Sequence, residues 1–123
     1  MPRIDVLLYK DDDESVPIRL WLRTLHARVI AKCRTRLERL REVGHELRRP
    51  EADTLRDGIY ELRAAYSGTN YRILYFFHGN LAAVVSHGII KEAEVPPREI
   101  DLAVARKKKF ETNPDSHSDR GWI

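Results

Sequence analysis

The sequence predicts an α+β domain with an N-terminal strand, two helices, a three-stranded antiparallel meander that completes one sheet, and a C-terminal helix. Apolar residues recur at helical spacing over residues 16–40, and three later segments rich in β-branched and aromatic residues lie between turn signals. A further apolar helical pattern follows Pro96 and Pro97. In such a domain we expect the helices to cover one sheet face and leave the other open for binding.

The first strand is predicted at residues 4–9, where Ile, Val, Leu and Tyr dominate, and the acidic run at residues 11–14 ends it. Ser15 and Pro17 are typical of a helix start, and Gly44 is typical of a helix end. Between these signals the apolar positions follow two helical stretches: Val16, Leu20, Trp21, Leu25, Val29, Ile30, Cys33, Leu37 and Leu40.

The meander is predicted at residues 59–65, 71–78 and 81–87. Turn signals separate these segments at residues 67–70 and 78–80. The polar residues 45–57 before the meander contain Pro50 and are predicted to form a connecting loop.

The last helix is predicted from Arg98 to about Phe110, with Pro97 suited to its first turn. Ile100, Ala103 and Val104 should face inward. We expect residues 1–110 to form a single domain and residues 111–123 to be a polar, flexible tail.

The composition is that of a globular protein and not of a disordered chain, since 42% of the residues are hydrophobic and 33% are charged. No apolar run approaches a membrane span, and the acidic residues after Tyr9 exclude a signal-peptide pattern. Cys33 is the only cysteine, so no disulfide can form within the chain. We therefore expect a cytoplasmic protein with no membrane contact.

The basic residues are concentrated in the helical part of the sequence. Between residues 19 and 49 there are ten Lys or Arg and three Glu, although the whole chain carries a net charge of only +3. Arg28, Lys32, Arg36 and Arg39 fall on one flank of the second helix and form a basic ridge. The ridge is either a solvated helix face or a surface for RNA or an acidic partner.

Three segments of the second half of the chain form a distinctive set: LRDGIYELR at residues 55–63, YRILY at residues 71–75 and HGIIK at residues 87–91. Together they resemble the signature of phage-derived RelE/HigB-like toxins. The resemblance implies a RelE-like fold and the toxin of a type II toxin–antitoxin pair, an endoribonuclease that cuts mRNA on the ribosome. It also implies a helix-turn-helix antitoxin, and contact with operator DNA only through the antitoxin complex.

The sequence departs from that pattern after the last strand. Glu92 follows Lys91 where a second Lys is frequent, and Glu92-Ala93-Glu94 replaces a basic stretch. Some relatives place a catalytic Tyr shortly afterwards, whereas here Val95-Pro96-Pro97 stands in that region. Glu92 is a candidate to neutralise Lys91.

RNA is cleaved without a metal when its 2′-hydroxyl attacks the adjacent phosphate, which requires a proton acceptor, a proton donor and positive charge. The candidate catalytic residues are Arg63, Arg72, His87 and Lys91. Strand alternation places Ile59, Glu61 and Arg63 on one face, so Arg63 can leave the core and hold the phosphate.

Each candidate also has a structural interpretation. Arg63 and Arg72 can pair with Glu61, and a lone His at a strand end such as His87 is most often structural. Tyr71 is retained as a candidate for stacking on RNA bases. The histidines, Cys33 and the acidic residues show no metal-ligand spacing, so we expect neither a metal nor another cofactor.

Two other functions fit the same sequence. One is a catalytically decayed, nucleic-acid-binding relative that acts within a DNA-bound toxin–antitoxin regulatory complex. The other is a protein-interaction module whose basic ridge binds an acidic segment of a partner.

Overall fold

Six strands form one mixed sheet in the computed structural model, which describes residues 3–91 and 93–123. The strands are β1 (Asp5–Tyr9), β2 (Ala52–Thr54), β3 (Ile59–Tyr66), β4 (Thr69–His78), β5 (Ala82–Lys91) and β6 (Ser118–Asp119). Their order in the sheet is β2-β3-β4-β5-β1-β6, and only the β1–β5 pair is parallel. The predicted α+β class and the antiparallel meander of β3, β4 and β5 are confirmed.

Three α-helices accompany the sheet in the described residues: α1 (Pro17–Leu22), α2 (Ala27–Val43) and α3 (Pro97–Thr112). Proline occupies the first turn of α1 and of α3, where its missing N–H costs nothing. A ring nitrogen of His26 caps α2 by accepting a hydrogen bond from the Arg28 backbone N–H, and Gly44 ends that helix with a φ of 64°. No helix in residues 3–91 and 93–123 is long and apolar enough to cross a bilayer.

The turn between β3 and β4 contains only Ser67 and Gly68, whereas the sequence predicted a turn of four residues. Their φ angles are 49° and 80°, and two positive values in succession are typical of the tight turn that matches strand twist. Thr69 and Asn70 therefore belong to β4 and extend the hairpin by two pairs, with Tyr66 and Ala65.

Helices pack on both faces of the sheet, so the expectation that one face is left open is wrong for the part beneath α3. On one face α1 and α2 bury a core around Leu8, Leu37 and Tyr75. On the other face, Ile100 and Phe110 of α3 pack into a second cluster. The physical reason is the apolar stripe of α3, which needs an apolar surface to cover.

Trp21 of α1 packs directly onto Gly88 of β5. A Cβ atom at Gly88 would lie 2.2 Å from the Trp21 ring, a distance that no side chain can occupy. The Trp21 ring also meets the Tyr71 ring edge-on, with 6.4 Å between the ring centroids. The glycine of the HGIIK segment thus has a packing role on the face opposite α3.

Two short strands fall in segments that the sequence predicted to lack regular structure. β2 lies in the predicted connecting loop and pairs with β3. β6 lies in the predicted flexible tail and pairs with Leu8 and Tyr9 of β1. Arg19 also donates two hydrogen bonds to the Asp119 carboxylate, at 2.7 and 3.0 Å, and so attaches the tail to α1.

Candidate functional site

Strand pairing brings the four predicted catalytic residues to one face of the sheet, the face that carries α3. Residues directly opposite each other on neighbouring strands point to the same side. The rows on this face are Asp53, Glu61, Leu74 and His87, then Arg63, Arg72 and Ile89, then Asn70 and Lys91.

Glu61 is the centre of an ionic cluster on this face and is only 3% exposed. Its Oε2 lies 3.0 Å from Nη2 of Arg63, and its Oε1 lies 3.2 Å from Nε of Arg72. Arg63 also approaches Asp53 at 3.3 Å, and Arg49 holds the same Asp53 oxygen at 2.7 Å. Arg63 and Arg72 are therefore both fixed by carboxylates.

The exposures of the two arginines differ, which separates their roles. The Arg63 side chain is 29% exposed, so its guanidinium can meet a ligand while it contacts Glu61. Arg72 is buried, and Nη1 donates a hydrogen bond of 3.0 Å to the Tyr71 carbonyl oxygen. Burial lowers the pKa of Arg72, and the nearby charge of Glu61 opposes that shift.

A cleft of about 360 Å³ lies beside this cluster, between β2, the end of β5 and the start of α3. We call it the Glu61 cleft. Its walls carry three acids and two bases among mainly apolar neighbours. The lining residues are Asp53, Thr54, Leu55, Arg56, Glu61, Lys91, Glu94, Val95 and Ile100.

The two basic residues that line the cleft, Lys91 and Arg56, come from segments that were singled out in the sequence. Lys91, the last residue of β5, is half-buried and lines the wall. The Arg56 guanidinium contacts Asp101 at 2.6 Å and Asp57 at 2.8 Å, which raises the pKa of Arg56. The proposed neutralisation of Lys91 by Glu92 lies outside the described residues.

His87 lies beneath α3 and is 7% exposed. Its Nδ1 is 2.7 Å from Oγ of Ser86, and its Nε2 is 3.0 Å from Oε1 of Glu99. Burial lowers the pKa of His87, and Arg106 adds to the effect. A neutral ring that donates to Glu99 and accepts from Ser86 satisfies all three groups, so the contacts of His87 tie β5 to α3.

Acids partly neutralise the basic ridge of α2. Glu51 accepts two hydrogen bonds from Arg39, at 2.9 and 3.1 Å, and lies 3.5 Å from Arg36. Arg36 Nε also donates to the backbone carbonyl of Arg63 at 2.7 Å. This contact places the ridge against the same β3 segment that carries Arg63, although α2 packs on the other face of the sheet.

The remaining two ridge residues have fewer contacts. Arg28 approaches the Tyr66 hydroxyl at 3.4 Å, and Lys32 lines a small hollow of about 130 Å³ above Ala64 and Ala65. The ridge is thus divided into an acid-bound half and a half that remains open in the described residues.

Tyr71, the candidate for stacking on RNA bases, lies in the core on the face opposite α3. It is 9% exposed and belongs to the core beneath α1 and α2, where it meets Trp21. The residue follows the alternation of β4, which places Arg72 on the α3 face and Tyr71 on the opposite one. Its ring is therefore not presented to a ligand.

The described residues contain neither an exposed cysteine thiol nor a group of side chains arranged as metal ligands. Cys33 is buried and its pKa is raised to about 11 by desolvation, so the thiolate form is disfavoured. No group of three or more His, Cys, Asp or Glu side chains in residues 3–91 and 93–123 is arranged to hold a metal ion.

A comparison with known protein families matches a region of the chain that includes the elements of this site. The sequence profile of the phage-derived protein Gp49-like family (DUF891) matches residues 20–108, which extend from α1 to α3. The chain belongs to the Gp49-like family. This family is a toxin-like family of the RelE superfamily, and it implies an antitoxin partner. The comparison with curated proteins finds no significant match.

Membership in the Gp49-like family agrees with the resemblance of the three segments at the level of the RelE superfamily. The sequence did not reveal that Asp53 joins Glu61 at the site. Asp53 lies in a polar segment without periodicity, and only the β2–β3 pairing places it opposite Glu61. The alternation of β3 was the signal that placed Glu61 and Arg63 on one face.

Proposed function

We propose that this Gp49-like protein is the toxin of a type II toxin–antitoxin pair and cleaves mRNA without a metal, on the translating ribosome. A helix-turn-helix antitoxin neutralises it, and operator DNA is contacted only through that complex. The family supports the toxin assignment. The observation that carries the nuclease assignment is the partly exposed Arg63, fixed by Glu61 and Asp53 beside a cleft lined by Lys91.

In this proposal Arg63 binds the scissile phosphate. Its Nε and Nη2 already contact Glu61, which fixes the plane of the guanidinium before RNA binds. An oriented cation stabilises the negative charge that develops on the phosphate without reorganising. Nη2 also donates to Asp53, so Nη1, which has no partner in the described residues, is left to donate two hydrogen bonds to the phosphate.

Arg72 and Lys91 have different supporting roles. Arg72 holds the other oxygen of Glu61 and so positions Arg63 through that carboxylate. Lys91, which lines the cleft, donates to a second phosphate oxygen or to the leaving oxygen. His87 positions β5 against α3 through its two engaged ring nitrogens. The attacking 2′-hydroxyl gives its proton to solvent water in the cleft.

The open part of the α2 ridge extends the RNA path around the sheet edge. Arg36 contacts the Arg63 backbone, and Lys32 lies one helical turn before it. A strand of RNA that leaves Arg63 at this edge would meet Lys32 next, with Arg28 beyond.

The acidic residues of the site favour a second candidate function. Asp53 and Glu61 compensate the charge of Arg63, and Glu94 adds a further carboxylate to the cleft wall. Carboxylates repel phosphate, as expected for a decayed relative that acts only in a DNA-bound regulatory complex.

One experiment separates the two functions. Wild type, Arg63→Ala and the control Arg120→Ala are induced without antitoxin, and new mRNA 5′ ends are mapped. Arg120 is an exposed arginine that contacts Asp5 at 3.6 Å, away from the cleft. The nuclease proposal expects new ends and growth arrest with wild type and Arg120→Ala but not with Arg63→Ala. Absence of new ends with folded wild type would favour the decayed relative.

A further inference from the structure

A second concave surface lies on the face of the sheet opposite the Glu61 cleft. It is a groove of about 230 Å³ between α1, α2 and the end of the tail, and we call it the α1–α2 groove. Its lining residues are Arg19, Leu22, Arg23, Ile30, Trp122 and Ile123. It shares no residue with the Glu61 cleft or with the basic ridge.

The floor of the groove is apolar. Leu22 and Ile30 come from the two helices, and Ile123 closes the floor from the tail. Trp122 is fixed by Arg41, whose guanidinium carbon lies 3.8 Å from the ring centroid. One face of this indole is therefore already covered.

The margin of the groove is cationic. Arg23 is exposed, and Arg34 follows Ile30 by one helical turn. Within residues 3–91 and 93–123 neither arginine pairs with an Asp or Glu side chain, and Arg34 Nε donates to the main-chain oxygen of Ile123 at 3.2 Å. Arg19, by contrast, is neutralised by Asp119.

The groove also differs from the Glu61 cleft in its acids. Among the described residues no Asp or Glu side chain lines the groove, whereas three line the cleft. Glu38 and Glu42 of α2 border a separate hollow with Arg3 and Arg41. An apolar floor with a cationic margin, on which Arg23 is exposed, is complementary to a segment that is apolar on one side and acidic on the other.

We infer that the α1–α2 groove binds an acidic amphipathic segment of the antitoxin, with apolar side chains on Leu22 and Ile30 and carboxylates on Arg23 and Arg34. The inference rests on the proposed function, because it names the surface through which that partner is held. RNA is the poorer occupant, since the floor is aliphatic and one face of the Trp122 indole is already covered by Arg41, which leaves little aromatic surface for bases.

The direct test uses a defined probe and the full chain. A fluorescent peptide of about 16 residues carries leucines at helical spacing and glutamates elsewhere. A second peptide replaces every glutamate by lysine. The acidic peptide is expected to bind at least about tenfold more tightly than the basic one, and added salt should weaken its binding.

Two variants locate the binding. Arg23→Glu/Arg34→Glu reverses the charge of the groove margin, and Ile30→Glu places a charge on the groove floor. Each variant should bind the acidic peptide about tenfold or more weakly than wild type does. Lys108→Glu makes the same type of charge change on an exposed position of α3 and should leave binding within about twofold. Circular dichroism melting shows whether each variant is folded.

Equal binding of the two peptides, or unchanged binding by both groove variants, would overturn the inference. The same holds if an oligouridine RNA displaces the acidic peptide and its own binding is lost in the groove variants, because the groove would then belong to nucleic acid.

A cellular test separates this inference from the proposed function. Wild type and the margin variant are expressed with and without the neighbouring antitoxin. The inference expects both to arrest growth alone and only wild type to be rescued. Rescue of the variant would overturn the groove assignment alone. Absence of arrest by wild type would contradict the proposed function, while the peptide measurement would still decide the groove.

Discussion

The sheet face that carries α3 has two halves with opposite physical character. In the half beneath α3, Leu74, Phe76 and Phe110 form a dry apolar cluster. In the half beyond the helix, Glu61 and Arg72 are also buried, but they are charged. We call these the sealed half and the charged half.

The difference shows how the same strands serve two purposes. β4 supplies Phe76 to the sealed half and Arg72 to the charged half, only four residues apart on one face. Where α3 covers the sheet, burial of apolar surface stabilises the fold. Where the cover ends, buried charges must be paired, and the pairing fixes the geometry of the exposed Arg63.

The largest effect is expected from truncation in the sealed half. Phe76 is fully buried and its ring meets Phe110 edge-on at 5.8 Å, so Phe76→Ala should lower the free energy of unfolding by about 4 kcal/mol. Urea denaturation measures the loss. Leu102→Ala, on an exposed position of α3, should cost under about 1 kcal/mol. Similar losses in the two variants would contradict a distinct sealed half.

Loss of the central carboxylate tests the charged half. Glu61→Gln leaves Arg72 buried without its counter-charge and should lower the free energy of unfolding by about 3 kcal/mol. In Glu61→Gln/Arg72→Met the losses should be less than additive, because no uncompensated cation remains. Additive losses in the same denaturation series would show that the pair is not coupled.

Arg63 should affect activity much more than stability. If Arg63 binds phosphate, Arg63→Ala should reduce the rate of mRNA cleavage about 100-fold. Arg63→Lys should retain only part of the wild-type rate, because an ammonium group lacks the planar, two-pronged donor geometry of a guanidinium. The initial rates of mRNA cleavage by the two variants are measured in a ribosome-containing translation mixture. Full activity of Arg63→Lys would contradict recognition by the guanidinium plane.

The smallest effect is expected at the boundary of the two halves, where His87 contacts Glu99 and Arg106 is nearby. Burial lowers the pKa of His87, so the unfolded chain binds a proton at higher pH than the folded one. His87 therefore supports stability above its unfolded pKa of about 6.5, and this support is lost as the pH falls.

Urea midpoints at about pH 7 and about pH 5 test this dependence. The decrease between them should be larger for wild type than for His87→Gln. An equal decrease in both proteins would exclude His87 as the responsible group.

The sequence predicted the elements that carry strong periodicity. α2 has apolar residues on one face over its whole length, and β3, β4 and β5 are separated by turn residues with positive φ. β2 and β6 were missed because three and two residues are too few for a periodic signal. That α3 covers the second face of the sheet was also missed, because the face on which a helix packs depends on contacts between distant parts of the chain.

At the candidate site, alternation along β3 correctly placed Glu61 and Arg63 on one face. The same reasoning could not show that Tyr71 is covered by Trp21, since this depends on the packing of α1 against Gly88. It also could not bring Asp53 to Arg63, because their contact requires the β2 pairing.

The pairing of β6 with the end of β1 has a consequence for the behaviour of the protein in concentrated solution. Without β6, Leu8 and Tyr9 would present an unpaired strand edge that another copy could extend. Residues 118 and 119 occupy that edge, and the Arg19 contact to Asp119 anchors them. A variant that lacks residues 113–123 should therefore aggregate more readily than the intact chain, even where its site remains complete.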